Sequence, residues 1–410
     1  MPLDMTFVES QFPALRGREF AYLDNAGGSL VLQGVANRVS EYLLTSSVQH
    51  GATYAKSQLA MERLAEAQRS VMTLINAARP DEVVMGPSTT ALLRILGIAI
   101  GETLSPGDEV VVSISEHEAN FGPWERLQQK GVKLVPWAVE PVTCRLDPQR
   151  LASLMTSRTR LVCCTHASNI LGTINPVREF ADIAHAHGAK ICVDAVAYAP
   201  HRLVDVRALD VDYYVFSFYK VYGPHHAVMY GRHDDLVSLP GQNHYFIEPT
   251  RTAYKFQPGN VNYELAYGCI GINEYLVELA RRSGVPSEGE REALRSAFDI
   301  ITEQEELVCR RLIDFLNATP GIRIIGETTA DAAIRVPTVS FLSAKGRNND
   351  IVSAIDRYDI GIRYGDFYAR RLADHLGLDP EQGVIRVSMV HYNTIAEIDR
   401  LIEKLAPLIS

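Results

Sequence analysis

The chain has 410 residues, of which 47% are hydrophobic and 22% are charged, and its net charge at pH 7 is -9. This composition is ordinary for a globular protein, and the length allows two or three domains with a large core. The acidic balance argues against a general nucleic-acid binder or a binder of anionic membranes. The N-terminus lacks a signal-peptide pattern, and no apolar run approaches the roughly 20 residues of a membrane span, so we expect a cytoplasmic protein.

Six cysteines are a sparse set for this length. Cys163, Cys164 and Cys192 lie within apolar runs, where cysteine usually behaves as a small core residue. No two cysteines have the CysXxxXxxCys spacing of a zinc or iron–sulfur site. We therefore expect no metal centre.

From about residue 81 to residue 232, short apolar runs alternate with helix-like segments. Helices are predicted at Ser88–Ile100 and after Pro176. This alternation predicts an α/β fold with a mostly parallel sheet covered by helices, and ligands bind such sheets at the carboxyl ends of the strands. The predicted strands are Asp81–Met85, Asp108–Ile114, Val132–Trp137, Thr159–Thr165, Lys190–Asp194, Val211–Ser217 and Ala227–Gly231.

The pattern changes after about residue 287. A long helix is predicted from Glu288 to about Asn317, followed by three short strands and a final helix from Thr394. This order is typical of a smaller α+β domain. We therefore predict an N-terminal segment (1–75) that packs with the small domain, a large domain (76–285) and the small C-terminal domain (286–410).

Lys220 directly follows one predicted strand, and Asp194 ends another. Strands of a parallel sheet are buried on both faces, where a bare ammonium is costly. A lysine in such a place becomes useful if it condenses with an aldehyde, and a nearby carboxylate can hold a protonated ring nitrogen. The pair predicts a pyridoxal phosphate (PLP) site, although Asp194 alone could equally cap a helix.

Three more polar groups follow strands or begin helices. The hydroxyl run Ser88, Thr89 and Thr90 opens a helix, where a phosphate can bind, although a plain N-cap explains it as well. His117 could stack on an aromatic ring and move protons, or could be a structural histidine. Asn169 could contact a ring hydroxyl or the substrate.

Together these motifs resemble the class V aminotransferase family of fold-type I PLP enzymes, especially its cysteine desulfurase and selenocysteine lyase branch. The similarity runs from Tyr22 to Thr394, nearly the whole chain. The motifs that carry it are GluHisGluAlaAsn (116–120), SerAsnIleLeuGlyThrIleAsnProVal (168–177), ValAsp (193–194), SerPheTyrLysValTyrGlyPro (217–224) and ArgValSerMetValHisTyrAsnThr (386–394).

The resemblance implies a large, mostly parallel seven-stranded sheet domain, a smaller α+β C-terminal domain, and PLP as cofactor. Lys220 would carry the cofactor and transfer protons, and His117 would stack on the ring. Arg386 would bind the substrate carboxylate as a bidentate pair, together with Asn169; read by itself, Arg386 could be a surface ion pair. The implied cofactor-binding residues are Ser88, Thr89, Thr90, His117, Asn169, Asp194, Ser217, Tyr219, Lys220 and Asn260, the last from the second subunit of a homodimer.

Three positions depart from the desulfurase pattern. Tyr368 stands where a desulfurase carries the cysteine that accepts sulfur, and no cysteine follows Cys309. A tyrosine hydroxyl cannot accept sulfur as a thiolate does, so an ordinary persulfide relay is not expected. Ala197 replaces the glutamine that would contact the ring hydroxyl. Tyr219 replaces a histidine at the phosphate, and its hydroxyl can still donate to phosphate.

The leading hypothesis is a PLP-dependent enzyme that acts at Cα or Cβ of an amino acid through an external aldimine. A cysteine desulfurase-like or C–S lyase activity on a sulfur-containing amino acid, without a persulfide relay, is favoured. A class V aminotransferase or an amino-acid epimerase is the main alternative, and a catalytically silent PLP-binding protein is another. A nicotinamide reductase is disfavoured because no GlyXxxGlyXxxXxxGly turn follows a strand.

Overall fold

A computed structural model describes residues 3–17, 20–285 and 287–409. In these ranges the strands are β1 Ala21–Tyr22, β2 Val83–Gly86, β3 Glu109–Ser113, β4 Lys133–Trp137, β5 Thr159–Thr165, β6 Lys190–Asp194, β7 Tyr213–Ser217, β8 Ala227–Gly231, β9 Ile322–Ile325, β10 Thr338–Ser343, β11 Ile360–Gly361, β12 Arg363–Gly365 and β13 Val384–Ser388. The α-helices there are α1 Met5–Gln11, α2 Gln33–Thr45, α3 Ala55–Ile75, α4 Thr89–Gly101, α5 Gly122–Glu125, α6 Pro148–Leu154, α7 Val177–Ala186, α8 Val206–Leu209, α9 His233–Ser238, α10 Thr252–Lys255, α11 Tyr263–Gly268, α12 Ile270–Arg282, α13 Glu290–Ala318, α14 Asn348–Asp356, α15 Arg370–His375 and α16 Ile395–Ile409.

The largest sheet has seven strands in the order β2-β8-β7-β6-β5-β3-β4. Strand β8 is antiparallel to both of its neighbours, and the other pairings in the sheet are parallel. Since β2 and β7 both oppose β8, they run in the same direction. The carboxyl ends of six strands therefore meet at one edge, and the predicted mostly parallel seven-stranded sheet is confirmed.

Both faces of this sheet are buried, as the continuous apolar strands predicted. On one face, Val110 and Val112 of β3 share a core cluster with Leu92 of α4. On the other face, Val111 belongs to a second cluster that includes Phe180 of α7. Alternate residues of one strand thus enter two cores, and the covering helices fix where each strand ends.

The C-terminal part forms a second, antiparallel sheet in the order β12-β13-β10-β9. The long helix α13 begins at Glu290 and ends at Ala318, close to the predicted 288–317. Strand β1 pairs in parallel with β11, and Ala21 and Leu23 lie in the core cluster of this region. The division at residues 75 and 285 stays a prediction. Across the described ranges, no helix combines the length and apolar character needed to cross a membrane.

Candidate active site

A cavity lies at the carboxyl edge of the large sheet, where loops from five strands converge. Nine of the residues predicted from sequence line it, and they come from positions up to 132 residues apart in the chain. They are Ser88, Thr89, Thr90, His117, Asn169, Asp194, Ser217, Tyr219 and Lys220, joined by Ala119, Thr165, Ala167, Val196 and Ala197.

Lys220 ends a single 3₁₀ turn, Phe218–Lys220, that directly follows β7. The turn is held from outside by the N-terminal segment, because Ser29 donates its backbone N–H to the Tyr219 carbonyl at 2.9 Å. The Ser29 hydroxyl in turn accepts from the N–H of Tyr222 at 2.8 Å. Burial, together with nearby Arg386, lowers the pKa of Lys220 to about 8, which leaves part of the amine neutral near physiological pH.

One end of the cavity is lined with hydroxyl groups at the start of α4. Ser88 is the N-cap of this helix and accepts from the Ala91 N–H at 3.1 Å, so the N-cap interpretation is right for this residue. The Thr89 hydroxyl lies 2.8 Å from the hydroxyl of Ser217 at the end of β7. Hydroxyls and the free N–H groups of a 13-residue helix together favour an anion at this end.

Asp194 lies at the carboxyl end of β6 and is buried. One of its oxygens accepts from the Val196 N–H at 2.9 Å. It does not cap a helix, because the next helix, α8, begins at Val206. Burial raises the pKa of Asp194 to about 6, while Lys220 opposes the rise. A cationic partner in the cavity would restore its negative charge.

His117 is a neutral base in this site. Its Nδ1 accepts from the Ala119 N–H at 3.0 Å, and the residue caps the 3₁₀ turn Glu118–Asn120. Burial, with Lys220 and Arg386 nearby, lowers the pKa of His117 to about 4. A neutral imidazole can stack on an apolar or electron-poor ring without carrying a charge into the cavity.

Beside the cavity, Arg386 on β13 lies only 2% exposed, which excludes a surface ion pair. Its Nη2 donates to Asp24 at 3.0 Å, and its Nη1 donates to the Asn169 carbonyl at 3.1 Å. Burial lowers its pKa to about 10, against the opposing effect of Asp24. Arg386 Nε and Asn169 Oδ1 are both buried without a hydrogen-bond partner among the described residues.

Asn260 does not line this cavity. It is exposed, and its side-chain oxygen accepts from Tyr263 Oη at 3.0 Å. Sequence reasoning missed Asp24, Ser29 and Phe367 as supports of the site. Asp24 lies within the resemblance but has no strand pattern of its own, and only its place two residues after Tyr22, where the resemblance begins, could have pointed to it.

The fold resembles that of a solved cysteine desulfurase. The chain matches the crystal structure of the cysteine desulfurase CsdA from Escherichia coli with a TM-score of 0.84 and 25% sequence identity, covering 100% of this chain and 99% of that chain. The comparison supports the α/β fold expected from the sequence. It places the protein in the class of fold-type I PLP-dependent enzymes.

Sequence comparisons define the family more narrowly. The family model described as Aminotransferase class-V matches residues 21–280 and 292–401. The "Aminotransferase-like protein FGM3" of Gibberella zeae is 40% identical over 96% of each chain. The "Cysteine desulfurase-like protein ustD" of Aspergillus flavus is 33% identical over 100% of this chain and 91% of its own length. The chain belongs to the class V aminotransferase family, which confirms the resemblance carried by its five motifs.

Proposed function

We propose that this protein binds PLP at Lys220 and acts at Cα or Cβ of an amino acid, as a desulfurase-like enzyme or C–S lyase on a sulfur-containing substrate. The observation that carries the proposal is the cavity itself. It holds a buried, partly neutral lysine amine, a buried carboxylate and a helix start lined with hydroxyls. The family supports the cofactor assignment.

The residues present fit PLP by their chemistry. Ser88, Thr89, Thr90, Ser217 and Tyr219 offer neutral donors for a phosphate, and Asp194 offers a carboxylate for a pyridine nitrogen. Two buried polar atoms, Asn169 Oδ1 and Arg386 Nε, have no partner within the described chain, and a bound polar ligand would satisfy them. When bound, PLP supplies an electron-accepting ring that stabilises negative charge at the substrate Cα.

The chain's own groups then divide the work. The neutral Lys220 amine takes the proton from the substrate Cα, and its lowered pKa suits that task near neutral pH. Asp194 would hold the ring nitrogen of PLP in its protonated form, and His117 would stack on the ring as an uncharged imidazole. Arg386 orients the substrate through its carboxylate, with Asp24 holding the guanidinium in place.

Loss of the Cα proton allows a leaving group at Cβ to depart. For an S-substituted cysteine, the Cβ–S bond breaks with its electron pair on sulfur, and water completes the conversion to pyruvate, ammonia and a thiol. A persulfide relay is not proposed. Tyr368 lies at the cysteine position, all six cysteines are buried and free, and burial raises the pKa of the Cys163 and Cys164 thiols well above the ordinary range.

Transamination is the second candidate, because the relative from Gibberella zeae carries an aminotransferase-like name. The same residues serve either outcome up to the loss of the Cα proton. Incubation with cysteine, cysteine sulfinate and S-substituted cysteines, with assays for pyruvate and alanine, separates the two. Pyruvate with free thiol supports the lyase. Products that appear only when a keto acid is added support the transaminase. Deuterium exchange at Cα together with formation of the opposite enantiomer supports an epimerase.

We also propose a homodimer in which Asn260 of one subunit reaches the phosphate of the other. The exposed position of Asn260 outside its own cavity supports this arrangement. Mixed dimers of Lys220→Ala and Asn260→Ala chains test it, since one of their two sites regains both residues. Activity that returns on mixing two weak variants supports sharing. Activity equal to the average of the two excludes it.

The cofactor assignment is tested by borohydride reduction and peptide mapping of the protein reconstituted with PLP. The label is expected on Lys220 and is lost in Lys220→Ala. Lys255 is a matched control, because it is 1% exposed but donates to the carbonyls of Val237 and Leu239 outside the cavity. Lys255→Met should keep the label. A label that stays in Lys220→Ala, or a protein that takes up no cofactor, overturns the proposal.

A further inference from the structure

The segment Asp366–Ala369 connects β12 to α15 and takes the place at which desulfurase-like proteins carry a cysteine. Here it presents two consecutive aromatic residues. Phe367 has a φ of 51° and Tyr368 a φ of 61°, both in the left-handed region. Bulky side chains rarely adopt this conformation, because it brings Cβ too close to the following carbonyl oxygen. Strain of this kind persists only where surrounding contacts hold it.

Contacts from the large sheet hold this segment. Asn169 donates its side-chain amide to the Phe367 carbonyl at 2.9 Å. The Glu118 N–H donates to the Tyr368 carbonyl at 2.8 Å. Just beyond, Arg371 pairs with Glu125 at 3.0 Å. The strained backbone is therefore tied to the two loops that carry Asn169 and His117 into the cavity.

The two aromatic side chains contact groups of the proposed site. The Phe367 ring lies under the guanidinium of Arg386, with Arg386 Cζ 3.6 Å from the ring centroid. The Tyr368 ring centroid lies 5.3 Å from that of His117. Tyr368 is nevertheless 74% exposed, whereas Phe367 is only partly exposed and is the closer of the two to a buried charge.

We infer that Phe367 is a positioning residue that holds the Arg386 guanidinium ready for the substrate carboxylate, an inference that rests on the proposed function. The ring covers one face of the guanidinium and excludes water from it, while Asp24 and the Asn169 carbonyl fix its N–H groups. Among the described residues the Nε–H of Arg386 has no hydrogen-bond partner, so it is available to a ligand. Position 367 thus stabilises the carboxylate site and takes no part in sulfur transfer.

The test compares Phe367→Leu, which removes the ring and keeps much of the volume, with Phe367→Tyr, which keeps the ring. The probe is 2-aminoisobutyrate, an amino acid without a Cα proton, titrated calorimetrically into the PLP-loaded protein. Loss of a cation–π contact predicts a dissociation constant raised about threefold to thirtyfold in Phe367→Leu. Phe367→Tyr should stay within about twofold of the parent chain. For the true substrate, KM should rise with kcat nearly unchanged.

Phe7→Leu is the matched control, because it removes a contact of the same kind. The Arg282 guanidinium lies over the Phe7 ring, with its Cζ 4.5 Å from the ring centroid, and neither residue lines the cavity. Phe7→Leu should reduce stability without changing the dissociation constant. If the dissociation constant changes less than threefold in Phe367→Leu, or changes equally in Phe7→Leu, this inference is overturned and the proposed function is not affected. If the parent chain takes up no PLP, the proposed function fails and this inference fails with it.

Discussion

The cavity and the residues beside it form two ends of one site, and these two ends are built in different ways. The end proposed for the cofactor is formed by residues that end strands of one sheet or follow those strands within three residues: Ser88, Asp194, Ser217 and Lys220. The end proposed for the substrate joins Asp24, Asn169, Phe367 and Arg386, which lie in four distant segments and belong to different sheets and loops. None of the four residues at the cofactor end has a positive φ, although Tyr222, two residues after Lys220, has a φ of 60°. The second end includes two consecutive aromatic residues whose backbone has the left-handed conformation.

The contrast indicates that the sheet scaffold positions the cofactor, whereas the second end determines substrate specificity. Strand ends in a parallel sheet are rigid and recur wherever the fold recurs, which suits a cofactor that stays in place. The substrate end depends on contacts between the C-terminal sheet and the large sheet, so it can vary with little effect on the cofactor end. If this division holds, substitutions at the two ends will change different measured quantities.

The largest effect is expected for Arg386→Lys. The change keeps a positive charge but removes the planar fork that pairs with a carboxylate. Loss of such a buried charged pair costs about 2–3 kcal/mol, so KM should rise by about thirtyfold to 150-fold while PLP affinity stays within about twofold. Steady-state kinetics and a PLP titration measure the two quantities.

Arg363→Lys provides the control for this substitution. Arg363 lies opposite Arg386 in the β12–β13 register and approaches Asp24 at 3.5 Å, but its side chain is 58% exposed. Its replacement should change KM by less than about threefold. Equal effects at both positions would mean that the substrate carboxylate binds between the two arginines.

The next effect concerns pH. Uptake of PLP requires a neutral Lys220 amine, and burial lowers its pKa to about 8. The neutral fraction rises from about 1% at pH 6 to about 50% at pH 8, so the second-order rate of uptake should rise about fiftyfold across this range and level off above it. Stopped-flow absorbance measures the rate. A midpoint near pH 10 would contradict the burial of the amine.

Charged neighbours should move this midpoint in opposite directions. Arg386 lowers the pKa of Lys220, so Arg386→Gln should shift the midpoint upward. Asp194 raises the pKa of Lys220, so Asp194→Asn should shift the midpoint downward. Shifts in the same direction for both variants would show that the cavity loses its structure and would remove the electrostatic interpretation.

The same contrast explains how much the sequence could predict. The strands of the large sheet and the polar residues at their carboxyl ends were predictable. Apolar runs such as Thr159–Thr165 are followed by polar groups, and these groups must meet at one edge of the sheet. The support from Asp24 was not predictable, because β1 has two residues and no periodicity. Nor was the turn at 367–368, because Phe and Tyr give no signal for positive φ where Gly or Asn would. The roles of the site residues stay predictions until the substitutions are made.

A smaller effect is expected at the cofactor end for Ser217→Ala. The change removes a hydroxyl that contacts Thr89 and lines the phosphate-binding end. A hydrogen bond to a charged group is worth about 1.5 kcal/mol, so PLP affinity should fall about tenfold while KM at saturating PLP stays the same. Ser283→Ala is the control, because its buried hydroxyl donates to Leu279 away from the cavity. If KM rises and PLP affinity is unchanged, Ser217 acts at the substrate end and not at the cofactor end.

The smallest effect tests the strain at the substrate end. The backbone at Tyr368 has a φ of 61°. Tyr368→Gly removes the energetic cost of this left-handed conformation, whereas Tyr368→Ala keeps it. The free energy of unfolding should therefore be higher for the glycine variant than for the alanine variant by about 1 kcal/mol. The exposed Tyr358, which is not among the positive-φ residues, should show the opposite order by about 0.5–1 kcal/mol, because glycine loses more entropy on folding. Urea denaturation of the four variants decides the matter. If alanine is the more stable at both positions, the turn at 367–368 is not strained, and the substrate end owes its geometry to packing alone.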